Sequence, residues 1–531
     1  MADVLFSSNL LWVAGVALVA ACVYRASEFR NLDHIPSVGS SSLLGSYWTA
    51  IKFHTSGSKI VQEGYNKHKA AAFKVPTLGH WVVVLNRNHL GDIIRTSDKE
   101  LSFHMALEDF IKTKYIFGPQ IMGDAYQNTI VKSRLTHNLS TIISDVADEI
   151  AAALDKTLNL TENEWKCLPV LETVEKVVCR AGNRIFVGYP LCRDPDWIEL
   201  NMQLTNAIIK EGLILSLFPK FMLPLAARLV TKTTNRNRRG AGHLAPMIIE
   251  RLKHMKEHGK KWNDKPDDFL QWCLDEGRET SADLLAARIL VINFAATHVG
   301  DFTFAQSLYC LAANPQYIQP LREEVQTIIG KDGWTKEALA KLRKVESFIK
   351  ETQRFEGNAS LGVMRRALKD ITLSDGTFIP TGTYVCVASH AIHRDPCVYE
   401  DPDVFDPYRY IKLQEKQGDS SRYQLVTIGP EWLMFGIGKA ACPGRFFAAM
   451  MLKLMLAHIV LSYDLKLGDI SYPASVCIGP AIAANPSAKI MWARLLLSTT
   501  TAQNSGGNVN KRWVAHTQLP KSSIFARLLY P

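Results

Sequence analysis

No C-x-x-C pair occurs among the ten cysteines of this chain, which argues against a zinc ribbon, an iron–sulfur cluster or a secreted disulfide framework. Most of the thiols are therefore expected reduced, in packed interiors. Linkers are missing too. At 531 residues a prior of roughly 150 residues per domain suggests about three domains, yet no Pro/Gly/Ser-rich stretch or charge run divides Lys52 from Leu497. The body reads as one very large unit or as tightly fused subdomains. There is no internal repeat of fixed period. A content of 47% hydrophobic and 21% charged residues excludes disorder. The formal charge of +10 is spread along the chain without a concentrated basic block, so it selects neither nucleic acid, an acidic partner nor an anionic membrane.

Charge is also absent from Leu5 to Tyr24, a segment about long enough to cross a bilayer of roughly 30 Å as a helix. A cleaved signal peptide would want a positive start, but only Asp3 precedes the segment, and the basic residues Arg25 and Arg30 follow it. The expectation is an uncleaved single-pass anchor over 1–24, with cleavage near Ala21 as the competing reading. Positive-inside logic places the remainder in the cytosol, which agrees with unpaired cysteines and leaves the sequons at Asn138, Asn159 and Asn358 unmodified. At the other end, 498–531 is a Ser/Thr/Gly/Asn-rich stretch followed by a basic tail with Arg512, Trp513, Phe525 and Leu529, an appended segment.

Helical patterns dominate the body, 25–497. Asp145 is placed to cap a helix carrying Val146, Ile150 and Leu154 on one face, and Pro320 to start another that Gly330 stops. Ser281 precedes a long apolar segment, Leu284 to Leu311. Strand signals come later, where Asp375-Gly376 turns a hairpin between Ile371 and Ile379. The fold class expected is mostly α with a smaller β region. The Leu/Phe/Pro-rich stretch from Gly212 to Val230, ahead of the basic run Asn235 to Arg239, fits either a membrane-surface contact or a buried helix pair.

The chemistry concentrates in Phe435-Gly436-Ile-Gly438-Lys439-Ala-Ala-Cys442-Pro443-Gly444-Arg445, which runs into an apolar helix, Ala448 to Val460. A cysteine just before a helix start meets unpaired N–H groups and the positive end of the dipole, so its thiolate is favoured. Flanking glycines let the backbone turn sharply and approach a flat ligand closely. A lone cysteine is more often a small buried hydrophobe, but Phe435, Gly438, Cys442, Pro443 and Gly444 in one register have chance odds on the order of 10⁻⁴.

This motif resembles the F-x-x-G-x-x-x-C-x-G signature of the cytochrome P-450 superfamily of haem-thiolate monooxygenases, and the resemblance implies that fold, a haem (iron protoporphyrin) cofactor and Cys442 as axial iron ligand. Phe435, Gly436, Arg365 and Arg445 are the implied cofactor-binding residues, with Arg365 where the family places an arginine on a haem propionate. Glu351 and Arg354, one turn apart on a helix, together with Arg409 in Phe405-Asp406-Pro407-Tyr408-Arg409, resemble the family's E-x-x-R helix and its third arginine, a buried structural network. In Phe294-Ala295-Ala296-Thr297-His298-Val299-Gly300-Asp301, similar to the family's distal helix, His298 takes the acid position and Val299 the threonine position. The usual proton relay is therefore absent as written, leaving His298 and Thr297 as the catalytic candidates; a packed, non-catalytic His298 is the alternative. Two further positions depart from the pattern. Ala440 stands where a basic residue often does, with Lys439 beside it, and no W-x-x-x-R occurs early in the body, leaving Lys132 and Arg134 for the second propionate. Phe103, Phe110, Tyr115 and Phe117 would wall an apolar pocket or serve as core.

Segments such as Phe73-Lys-Val-Pro76, Ser102-Phe-His and Lys114 to Gln120 look like the fungal secondary-metabolism branch that includes ent-kaurene oxidase-type enzymes. The function implied is oxidation of a hydrophobic natural product (terpenoid, meroterpenoid or alkaloid) at the endoplasmic reticulum membrane. Its implied partners are an NADPH-dependent cytochrome reductase docking on the basic face of Lys439 and Arg445, a cytochrome b-type protein as a second electron donor, and no nucleic acid. Two alternatives stay open: an atypical haem-thiolate reaction such as desaturation, rearrangement or oxidative coupling, motivated by Val299, and a haem-bearing binding protein without turnover.

Overall fold

Apolar residues at helical spacing set most of the architecture. A computed structural model describes residues 30–495 except 41, 70, 162–163, 217, 219, 260, 419–420 and 469–470, and except the side chains of 43, 44, 298 and 299. The anchor expected at 1–24 and the tail at 498–531 lie outside the described residues. The principal helices are α1 (Leu43–Lys67), α2 (Leu139–Leu158), α3 (Val170–Phe186), α4 (Pro195–Ser216), α5 (Leu223–Val230), α6 (Thr233–His258), α7 (Ala282–Ala313), α8 (Ile318–Asp332), α9 (Arg343–Glu356) and α10 (Arg445–Ser462). The long apolar segment after Ser281 is the helix α7, and Ser281 caps it, its Oγ accepting the Leu284 N–H at 3.5 Å.

Two helix boundaries differ from the sequence reading. Val146, Ile150 and Leu154 are buried in α2, but so are Leu139, Ile142 and Ile143, and that longer stripe starts the helix at Leu139. Asp145 is thus an interior residue, paired with Arg184 of α3 at 2.9 Å, and not a cap. Likewise α8 starts at Ile318, puts Pro320 in its first turn where a missing N–H costs nothing, and runs through Gly330 because Leu321, Val325 and Ile329 form one buried stripe. It stops at Gly333, whose φ of 66° leaves the helix.

The β region is built from β1 (Phe73–Pro76), β2 (Trp81–Leu85), β3 (Leu101–Ser102), β4 (Trp165–Pro169), β5 (Gly362–Ala367), β6 (Ile371–Thr372), β7 (Phe378–Ile379), β8 (Tyr384–Val387), β9 (Tyr463–Lys466), β10 (Val476–Ile478), β11 (Ala481–Ala483) and β12 (Lys489–Arg494). The main sheet has the order β1-β2-β8-β5-β3, with β2 and β8 parallel and the other pairs antiparallel. The expected hairpin is present as β6 and β7, pairing Ile371 with Ile379.

Two apolar clusters result. The larger joins α2, α3, α7, α9 and α10; the smaller lies between the main sheet and α1. Trp432 and Phe447 belong to the first, Leu433 and Ile437 to the second, so the segment leading into α10 runs along their junction. Helices α7 and α10 are long and apolar enough to cross a membrane by composition, but both are packed in the larger core. Around α5 the stretch is divided: Leu215, Leu223, Ala226 and Ala227 are buried in the larger core, as a packed helix pair requires, while Leu213, Phe221, Leu225 and Leu229 face solvent, Phe221 and Leu229 at 83% and 80% exposure. The basic run that opens α6 turns partly inward: Arg236 makes a buried bidentate pair with Glu211 of α4 at 2.6 and 2.9 Å.

Candidate active site

The loop before α10 is shaped by two glycines in the left-handed region. Gly436 has φ 73° and Gly438 φ 65°, conformations that side chains with a Cβ rarely adopt. Between them the chain folds back so that the Cys442 N–H donates to the Phe435 carbonyl at 2.8 Å. Cys442 is half-buried. Arg445, the first residue of α10, donates from Nη1 to the Cys442 carbonyl at 3.1 Å, and its Nε has no partner among the described residues. Burial pushes the Cys442 thiol up, against the opposing pull of the Gly444 N–H and the Arg445 charge. The expectation that the helix start alone favours the thiolate fails here. α10 begins three residues beyond the sulfur, and desolvation of the charge outweighs the two favourable groups.

Behind this loop, Glu351, Arg354 and Arg409 come together as expected. Arg354 donates from Nε and Nη2 to both Glu351 oxygens at 2.8 Å, and Arg409 Nε reaches the same oxygens at 3.2 and 3.1 Å. Glu351 and Arg354 are wholly buried. The remaining guanidinium hydrogens are taken by backbone carbonyls: Arg354 by His393 at 2.9 Å and Pro402 at 2.7 Å, Arg409 by Asp401 at 3.1 Å and Val404 at 3.0 Å. A buried ion pair stabilises only when its leftover donors are also met, and here they are. From this network a hydrogen-bonded path leads to the loop that carries Cys442. His393 Nε2 accepts the Leu433 N–H at 3.1 Å, and the Leu433 carbonyl accepts the Gly436 N–H at 2.9 Å. The His393 ring stacks on Trp432, with centroids 5.2 Å apart. Beside it Lys350, buried, donates to the carbonyls of Tyr423 and Gln424 and sits over the Trp432 ring.

Arg365, on β5, presents the opposite situation. It is 6% exposed, it bonds only the neighbouring Met364 carbonyl at 2.8 Å, and its guanidinium lies 5.7 Å from the Phe103 ring centroid. It makes no ion pair among the described residues. Opposite, in α7, Ala295 is exposed and Phe294, Ala296 and Gly300 are half-buried, in a helix otherwise largely enclosed by its neighbours. Phe117 packs against Phe294, ring centroids 5.9 Å apart. Phe110 is 55% exposed.

Thr297 does not sit as a substitute relay hydroxyl would. Its Oγ1 donates to the Asn293 carbonyl one turn back, and the residue lines a cavity of about 30 Å³ shared with Val178 of α3 and Phe447 and Met451 of α10, inside the helical core. That volume suits a single water and no substrate. His298 and Val299 continue the helix, and their side chains lie outside the described residues. Arg134 is engaged elsewhere, by Asp275 at 3.1 Å and Glu276 at 3.7 Å, and Lys132 is exposed. One buried acid escaped the sequence reading: Asp301, 3% exposed, has an Oδ1 without a partner among the described residues, and its carboxyl is held well above the usual carboxylate range by burial and by the nearby Glu175.

Residues 98–491 match the family model of cytochrome P450. The chain belongs to the cytochrome P450 family. Among curated relatives, it is 38% identical over 490 residues to cytochrome P450 monooxygenase 151 of Postia placenta, covering 91% of this chain and 98% of the relative. Identity to cytochrome P450 monooxygenase CYP512U6 of Ganoderma lucidum is 35%, over 86% of this chain and 90% of that protein. Identity to ent-kaurene oxidase P450-4 of Gibberella fujikuroi is 30%, over 91% and 96%. This P450 is therefore a monooxygenase of the haem-thiolate type, with a mostly helical fold and a smaller β region. The residues present fit that cofactor. A half-buried thiol stands at the core junction, a buried arginine lacks a carboxylate, Arg445 has an unpartnered Nε, and the middle of α7 is left uncovered. Haem bound to a thiolate supplies an iron centre onto which sulfur pushes electron density, which favours O–O cleavage.

Proposed function

We propose that this P450 is a membrane-anchored monooxygenase that oxidises a hydrophobic natural product, with Cys442 as the axial haem ligand and electrons from an NADPH-dependent reductase. The observation that carries the reading is the Cys442 loop, a thiol fixed by its own N–H and tied through Leu433 and His393 to the Glu351 network. In this reading Phe435 and Gly436 shape the sulfur side of the pocket, and Arg365 and Arg445 are the cations for the cofactor's carboxylates. Glu351, Arg354 and Arg409 hold the loop and retain the cofactor without touching substrate. With the Thr297 hydroxyl donated to the Asn293 carbonyl, proton delivery on the oxygen side falls to His298, which stands at the acid position of the motif.

The chain is organised as an anchor over 1–24, a catalytic domain over 25–497 and a tail over 498–531, with the endoplasmic reticulum as its membrane. Exposed Phe221, Leu225 and Leu229 support close approach to lipid. Lys439, exposed, and Arg445, half-buried, offer the basic face for the reductase. A terpenoid, meroterpenoid or alkaloid substrate is supported by the likeness to relatives named ent-kaurene oxidase. The reduced carbon monoxide complex tests the ligand: it should show the red-shifted Soret band of thiolate ligation, lost in Cys442→Ala, and a histidine-type band in the wild type would overturn the assignment.

A second reading, desaturation or rearrangement, is favoured by Val299 at the threonine position and by the inward turn of the Thr297 hydroxyl. Turnover under labelled O₂ separates the two: label in the product supports hydroxylation, and full conversion to unlabelled product supports the alternative.

A further inference from the structure

The last turn of α6 carries His254-Met-Lys-Glu257-His258, two imidazoles and a carboxylate that play no part in the chemistry above. His254 and His258 are four residues apart and so lie one above the other on the helix, with ring centroids 5.7 Å apart. One ligand atom from each of the three side chains lies within 4.8 Å of the others. The rings are held in place from outside the helix. Trp262, beyond the Gly259 stop, stacks on His254 at 6.0 Å and 13°. Lys265 sits over the Trp262 ring at 5.2 Å and is itself anchored to Asp275 at 2.8 and 2.9 Å. The position also favours a cation, because the unpaired carbonyls and the negative end of the helix dipole are at this terminus.

We propose that His254, Glu257 and His258 form a surface site for one borderline divalent transition-metal ion of the zinc class. Two neutral imidazoles and a carboxylate suit Zn²⁺, with a fourth position left to water, whereas Mg²⁺ and Ca²⁺ favour all-oxygen shells and gain little from a trio in which two of the three donors are imidazole nitrogens. Lys253, 4.0 Å from the Glu257 carboxylate, competes with the ion for that group. The imidazole pair therefore carries most of the affinity, and the ion ties together the last two turns of α6, beside the Trp262 ring that stacks on His254. The site is independent of the haem and of the substrate.

The test uses tag-free, haem-loaded full-length protein, stripped with a chelator and titrated with zinc chloride, with zinc and iron per chain counted by mass spectrometry. The expected result is one saturable zinc per chain, with affinity lowered by about tenfold or more in His254→Gln and in His258→Gln, and a smaller loss in Glu257→Gln. Iron per chain stays constant across the variants, which separates loss of this site from failure to hold haem. Copper(II) titration should quench a component of tryptophan emission that is missing in Trp262→Phe. Absence of saturable zinc binding below millimolar concentration would overturn the proposal, as would binding of unchanged affinity in the His254→Gln, His258→Gln double variant.

Discussion

Two buried arginines of this P450 stand in contrasting company. Arg354 meets both oxygens of Glu351 and two backbone carbonyls, and nothing in its surroundings remains to be satisfied by a ligand. Arg365 is almost as deeply buried yet has a single carbonyl and an aromatic face. Burying an unpaired charge costs several kcal/mol unless a partner arrives. The contrast separates groups whose partners are in the chain, which hold the fold, from groups whose partner has to be brought in, which hold the cofactor.

The largest effect should come from breaking the first group. Glu351→Gln leaves two buried guanidinium groups without a charge partner and should cost about 3–5 kcal/mol of chain stability, read as a lower unfolding midpoint of the cofactor-free protein in detergent. If that midpoint is unchanged, the network is not what holds the loop. Arg365→Leu should do the reverse: stability of the cofactor-free chain holds or rises, while haem is lost faster to an acceptor globin by about tenfold to a hundredfold, the worth of a charged hydrogen bond of roughly 1.5–3 kcal/mol. Equal losses in both assays would erase the distinction.

Asp301 sharpens the comparison as a buried acid with neither kind of partner among the described residues. Because its carboxyl is held protonated well above the ordinary value of 3.8, the native chain keeps a proton that the unfolded chain releases as pH rises. Its contribution is greatest below that value and falls with increasing pH. Asp301→Asn removes this dependence, so its advantage in urea should be near zero at low pH and grow toward pH 7 by at most about 1.4 kcal/mol per pH unit. A constant difference between pH 5 and pH 7 would mean that Asp301 is ionised in the fold.

Much of this was legible in the sequence because it depends on local pattern. The long apolar helix after Ser281, the Asp375-Gly376 hairpin and the one-turn spacing of Glu351 and Arg354 follow from neighbours along the chain. What escaped depends on long-range partners. Asp145 and Arg134 were misread because Arg184 and Asp275 lie on other elements. The strand β2 is a short buried apolar run without alternation, and its pairing, antiparallel with β1 and parallel with β8, is set by the fold and not by its neighbours in the chain. The thiol environment of Cys442 is a balance of desolvation against two weak favourable groups, a balance that spacing does not reveal. The His254, Glu257, His258 trio was not singled out from its spacing, and its ring contact with Trp262 exists only in the fold.

The thiols carry a practical consequence. Of the nine described cysteines, five are buried; burial pushes Cys192 up to about 11 and Cys310 and Cys386 up to about 12, so these side chains resist alkylation under native conditions. Cys167 and Cys397 stand in the open and react whatever the state of the site, which makes them an internal standard. Cys442 is half-covered, and its reagent access changes with whatever sits over the sulfur. A pulse of alkylating agent followed by peptide mapping thus becomes a footprint of cofactor occupancy, with the Cys442 signal divided by those of Cys167 and Cys397 reporting the fraction of molecules that hold nothing on that sulfur.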